Sequence, residues 1–145
     1  MKLFAPLLAV VLIGCAHSKP SAPAAAAPTQ TSPVAATLAT VPSLPPAQFK
    51  RLLDQHPEYV LLDVRTPAEY EAGHLQGARL IDFRAPDFDQ KIAALDPSKT
   101  YLLYCRTGHR SGVACEKMIA LKFVAYHLSG GITSWSAAQL PTTMP

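Results

Sequence analysis

This chain of 145 residues is poor in cysteine and in charge, and it has no long apolar run. Its three cysteines, at positions 15, 105 and 115, form neither a metal-ligand spacing nor a disulfide framework. Charged residues make up 16% of the chain and leave a net charge of +3. From Val41 onward the balance is 11 basic against 10 acidic residues. No basic run and no aromatic ladder occurs, so nothing points to nucleic acid. No two histidines stand at metal-ligand spacing, and neither a metal nor a cofactor is implied. The apolar run Leu3 to Ile13 is too short to span a bilayer. The length leaves room for one domain and not two.

What is present at the amino terminus reads as an export signal. Met1-Lys2 gives a positive start, and the apolar run that follows has the length of a signal-peptide core. It ends in Leu12-Ile13-Gly14-Cys15, which resembles the lipobox of bacterial lipoproteins. That resemblance implies a signal over residues 1–14, lipidation of Cys15, and a membrane anchor. Ala16 after the cysteine implies the periplasmic face of the outer membrane of the cell envelope. Residues 15–40 are dominated by Ala, Pro, Ser and Thr, with no periodic apolar face to bury. They read as a disordered linker that spans roughly 30 Å as a coil and about 80 Å when extended.

From about Val41 the pattern changes. Pro45-Pro46 opens a helix running to about Gln55, with Phe49, Leu52 and Leu53 on one face. Tyr59 to Leu62, Ala78 to Ile81, Thr100 to Tyr104 and Phe123 to Leu128 read as strands. Between them lie helices beginning at Thr66-Pro67, at Asp87 and at Ser111, the last running to Lys122. Gly130-Gly131 turns into a short final helix containing Trp135. Strand and helix alternate, so the fold class is α/β with a largely parallel sheet over residues 41–140, followed by a tail at 141–145.

The segment richest in chemistry is Cys105-Arg106-Thr107-Gly108-His109-Arg110-Ser111, directly after the apolar run Tyr101 to Tyr104. It places a thiol at the carboxyl end of a strand, where open α/β sheets bind ligands. Loop amides and the positive end of the next helix stabilise an anion there, and arginine charge adds to both. Cys115 lies on that helix among apolar neighbours and reads as core, with a redox role only if it approaches Cys105 closely. His74 and His127 read as structural histidines.

Three motifs now carry a resemblance. Leu61-Leu62-Asp63-Val64-Arg65, with Glu69-Tyr70, Gly73-His74-Leu75 and Gly77-Ala78, resembles the first signature of rhodanese-like sulfurtransferases. Tyr104 to Ser111 resembles their active-site loop, and Leu128 to Trp135 their final signature. The resemblance implies a five-stranded parallel sheet with helices on both faces. It also implies that Cys105 carries a persulfide between a small anionic donor such as thiosulfate and a thiol or cyanide-like acceptor. Loop amides from Arg106 to Ser111 would surround that sulfur, with Arg110 pointing back toward Asp63 or Glu69, and Arg106 and His109 toward solvent. Asp63 and Arg65 read as a supporting ion pair. Gln76 and Asp82 replace the proline and asparagine common at those positions.

Two other classes compete with sulfur transfer. A non-catalytic binding or sensing module of the same family would have no need of the thiol. Cysteine phosphatases and arsenate reductases share the general design, but phosphatases separate Cys and Arg by five residues. Here four intervene, and the smaller ring suits one sulfur atom better than a tetrahedral phosphate.

Overall fold

The computed structural model describes residues 41–144. The export signal, the lipidation of Cys15 and the linker expected from the sequence fall outside the described residues. Ten elements follow one another: β1 (Ser43–Leu44), α1 (Pro46–Gln55), β2 (Val60–Asp63), α2 (Pro67–Glu71), β3 (Arg79–Leu80), α3 (Phe88–Ala93), β4 (Thr100–Tyr104), α4 (His109–Ala120), β5 (Val124–Leu128) and α5 (Gly131–Ala137). The strands form one sheet in the order β1-β5-β4-β2-β3, and every neighbouring pair is parallel.

The apolar run of β4 makes it the centre of the sheet. Its alternate residues serve two separate cores, as a strand covered on both faces requires. Tyr101 and Leu103 join Leu62 of β2, Phe88 and Ile92 of α3, and Ala114, Cys115 and Met118 of α4. Leu102 and Tyr104 join Leu61, Phe49 of α1 and Trp135 of α5 on the opposite face. Phe49 and Trp135 meet edge to face at 6.2 Å, which ties the first helix to the last.

Three features depart from the expected pattern. β1 is only two residues long and lies between Pro42 and Pro45, so it carries no strand-length pattern. It pairs with β5 alone at the sheet edge, where neighbouring prolines cost no ladder hydrogen bonds. α4 starts at His109, two residues before the expected Ser111, because Gly108 adopts a left-handed conformation (φ 95°) and begins the helix there. The stretch after residue 140, expected as a tail, is tied to the domain. The Trp135 Nε1–H donates to the Pro141 carbonyl at 2.9 Å, and Thr143 exchanges backbone hydrogen bonds with His74 at 2.7 and 2.8 Å.

Candidate active site

Cys105 follows β4 directly and is fully buried, at the carboxyl edge of the sheet. Gly108 turns the chain back so that its N–H donates to Cys105 Sγ at 3.1 Å. The Ser111 hydroxyl lies 3.6 Å from the same sulfur and 3.1 Å from the Gly108 carbonyl. His109, Arg110 and Ser111 form the first turn of α4, whose N–H groups have no partner within the helix. A sulfur anion at this point therefore meets oriented donors, the partial positive charge of the helix end and a nearby guanidinium.

The loop is held from two sides. On one side α5 begins at Gly131, whose backbone lies against the loop. The Ile132 N–H donates to the Cys105 carbonyl at 2.8 Å, and both the N–H and the hydroxyl of Thr133 donate to the Arg106 carbonyl at 3.1 and 2.9 Å. A β-carbon at position 131 would overlap the carbonyl groups of Cys105 and Arg106, and φ is +58° there, so glycine is required twice over. On the other side Arg110 reaches back to α2. Its two terminal nitrogens donate to the Glu69 carboxylate at 2.8 and 2.7 Å. Glu69 is itself fixed by Thr66, whose N–H and hydroxyl each donate to it at 3.1 Å in a capping box. The Arg110 hydrogen bonds, helped by those from Thr66, hold the Glu69 carboxyl down at about 2.

Asp63 and Arg65 form a second, deeper ion pair under the site. Arg65 Nη2 donates to Asp63 Oδ2 at 2.6 Å and to the Gly73 carbonyl at 2.8 Å, while its Nε shares both carboxylate oxygens. Burial opposes charge on Arg65, yet the hydrogen bonds to Asp63 more than offset it and keep the guanidinium charged. Its guanidinium carbon also stands 5.4 Å above the Tyr104 ring. Burial and the nearby Asp63 carboxylate push the Tyr104 hydroxyl far above the usual range, so it stays neutral as it accepts the Leu75 N–H at 3.1 Å.

Arg106, Thr107 and His109 are exposed at the mouth. Beside them opens a cleft of about 620 Å³ that Phe83 and Arg84 also line. Arg84, Arg106 and His109 therefore face it with basic groups, while its one acid, Glu69, is engaged by Arg110. Sequence reading does not reach Phe83 or Arg84, while Ile132 and Thr133 fall within the final signature, Leu128 to Trp135. Arg84 stands in an irregular segment with no pattern of its own, and only the fold brings it to the loop. His74 hydrogen-bonds the Tyr70 carbonyl at 3.1 Å and stacks on its ring at 3.7 Å, the structural setting expected. Burial pushes the Cys115 thiol up to about 12.

A five-stranded parallel sheet here delivers a buried thiol into a tight loop at the start of a helix, which defines an α/β domain with a cysteine-centred site. The chain belongs to the rhodanese-like family, whose domain model matches residues 45–138. It is 34% identical over 108 residues to the "Probable adenylyltransferase/sulfurtransferase MoeZ" of Mycobacterium tuberculosis, a match that takes in 74% of this chain and 28% of that much longer protein. A sulfurtransferase of Allochromatium vinosum is 29% identical over 97 residues, 66% of this chain and 88% of its own length. Among solved structures, the rhodanese-related protein of Thermoplasma volcanium superimposes with a TM-score of 0.64 at 28% identity, covering 72% of this chain and 99% of that one.

Proposed function

We propose that the domain is a sulfurtransferase that moves sulfane sulfur from a thiosulfate-like donor to a thiophilic acceptor through a persulfide on Cys105. The observation that carries this reading is the cradle of Cys105, with the Gly108 N–H and the Ser111 hydroxyl aimed at Sγ on the first turn of α4. The Cys105 thiolate attacks the outer sulfur of thiosulfate. A sulfur–sulfur bond forms to the protein as the old one breaks, and sulfite departs with the electron pair. The acceptor, cyanide or a thiolate, then attacks the outer sulfur of the persulfide, takes it as thiocyanate or as a new persulfide, and regenerates the Cys105 thiolate. The transfer is divided into two steps with no net redox change in the protein. Donors placed where the negative charge resides stabilise both the persulfide and the approach to it. Basic groups at the mouth attract an anionic donor.

The test is mass measurement on Cys105 after thiosulfate treatment, paired with thiocyanate formation on adding cyanide. A gain of one sulfur atom on Cys105, lost in Cys105→Ser, supports the reading. Absence of both in the wild type favours a non-catalytic module, and phosphoester hydrolysis abolished by Cys105→Ser would favour a phosphatase. The lipobox supports the further proposal that the domain works in the bacterial cell envelope, lipid-anchored through Cys15. Cys15→Ser should then release it from sedimenting membranes.

A further inference from the structure

His127 is on β5, half-buried, in register with Leu103 of β4 and Ser43 of β1. Its ring lies against α4 at Gly112, where a β-carbon would stand 3.5 Å from His127 Cε1. Nδ1 is 3.5 Å from the Ser111 hydroxyl oxygen, so an unbroken series of polar contacts runs from the imidazole through Ser111 to Cys105 Sγ.

A hydroxyl carries one hydrogen, and its orientation follows from which neighbour donates to it. Ser111 Oγ has three polar neighbours: the Gly108 carbonyl at 3.1 Å, Cys105 Sγ at 3.6 Å and His127 Nδ1 at 3.5 Å. A carbonyl only accepts, and so does an anionic sulfur. The imidazole is the neighbour that can donate. Besides Ser111 and Gly112, the groups that act on the charge of the ring are the Glu116 carboxylate from α4 and the Leu128 backbone from its own strand, and its register neighbours Ser43 and Leu103 are uncharged. Burial lowers the tendency of His127 to take a positive charge, while Glu116 and the Leu128 backbone oppose that lowering. A neutral ring with its hydrogen on Nδ1 fits this setting.

We propose that His127 is a positioning residue for sulfur transfer: its Nδ1–H donates to Ser111 Oγ and thereby directs the Ser111 hydrogen onto the anionic sulfur at Cys105. This rests on Cys105 being the sulfur carrier. When the sulfur is neutral, the Ser111 hydrogen bonds the Gly108 carbonyl, the nearer acceptor. When the anion forms, the hydroxyl rotates to it while still receiving the imidazole hydrogen. No covalent bond is made or broken in this step. Chained hydrogen bonds polarise one another, so the imidazole strengthens a donor that it does not itself present to sulfur.

The experiment follows alkylation of Cys105 by iodoacetamide across pH in the full chain, read by mass so that Cys15 and Cys115 are resolved separately. His127→Leu should slow alkylation at neutral pH by roughly threefold to tenfold, the scale of one weakened hydrogen bond to an anion. His127→Asn, which can offer an amide N–H near the position of Nδ1, should stay within about twofold of wild type. The wild-type profile should also show an inflection below the ordinary histidine range, which both variants lose. A Leu variant that alkylates as fast as wild type, or an Asn variant that keeps the inflection, would overturn the proposal. If the Leu variant does not fold, the Asn variant decides alone by the same inflection. Alkylation needs no sulfur donor, so a protein that gains no sulfur from thiosulfate refutes the sulfurtransferase reading and leaves this readout independent.

Discussion

Arg110 forks onto Glu69 with two hydrogen bonds of 2.8 and 2.7 Å, joining the first turn of α4 to the first turn of α2 across 41 residues of sequence. The contact fixes the rear wall of the thiol loop, because Arg110 lies one residue before the Ser111 that faces the sulfur. Lysine keeps the charge at that position but loses the planar fork. Arg110→Lys should therefore lower kcat/KM for sulfur transfer roughly tenfold, about 1.4 kcal/mol of transition-state stabilisation. Steady-state thiocyanate formation checks this, and a thermal melt within a few degrees of wild type would show that the loss is local.

The same pair sets an acid limit. The folded-state carboxyl of Glu69 sits at about 2, held there first by the Arg110 hydrogen bonds, against an ordinary value of 4.5. A carboxyl whose folded value is depressed binds fewer protons folded than unfolded, so its stabilising effect is complete above the unfolded value and fades as pH falls toward the folded one. The window is from about 4.5 down to about 2. With the Glu69 side chain 27% exposed, solvent screening reduces the contribution to about 1–2 kcal/mol. Urea denaturation of wild type and Glu69→Gln should differ most near neutral pH, and the two curves should converge through that window.

Much of this arrangement is legible in the sequence. The run Tyr101 to Tyr104 announces a doubly covered strand, and the glycine and arginines after Cys105 announce an anion loop at a helix start. The Thr66-Pro67-Ala68-Glu69 start of α2 is equally readable, because capping is local chemistry. What escapes are contacts between segments that no motif links. β1 is two residues between prolines and exists only because β5 offers it an edge. Arg84 reaches the mouth only through the fold, and the contact between His127 and Ser111 spans 16 residues and two elements. The earlier start of α4 turns on the backbone angle of one glycine, which sequence permits but does not dictate.

Gly131 tests how tightly the loop is held. An alanine there must hold a left-handed backbone, and its β-carbon must push the carbonyl groups of Cys105 and Arg106 away from α5. Strain of this kind costs about 1–3 kcal/mol for the backbone alone, and the overlap adds to it. Gly131→Ala should lose about 2–4 kcal/mol in chemical denaturation and most of its persulfide loading. By contrast, Gly112→Ala meets only ordinary contacts at the His127 ring and should gain about 0.5–1 kcal/mol from helix propensity.

The pair of Asp63 and Arg65 should behave as a buried charge pair, in which removing one member is worse than removing both. Asp63 is fully buried and Arg65 nearly so. Asp63→Asn leaves the guanidinium without its counter-ion and should cost about 3–5 kcal/mol in denaturant unfolding. Adding Arg65→Met to that variant should restore part of the loss, because methionine needs no partner. A double variant less stable than Asp63→Asn would mean that Arg65 acts chiefly through the Gly73 carbonyl, its other acceptor at 2.8 Å.

Cys115 shares the α4 core with Cys105, which raises the question of whether it would resolve the proposed persulfide. Burial among apolar side chains pushes its thiol up to about 12, with Glu116 adding to the effect. At neutral pH Cys115 is then held as the thiol, and the thiolate is the form that attacks sulfur. Sulfur loaded on Cys105 should therefore leave to an external acceptor and not to Cys115. Cys115→Ala should keep full persulfide loading and an unchanged rate of thiocyanate formation, while losing about 1 kcal/mol of stability from a small cavity. An intramolecular disulfide appearing in thiosulfate-treated wild type, and absent from Cys115→Ala, would instead make Cys115 a resolving thiol.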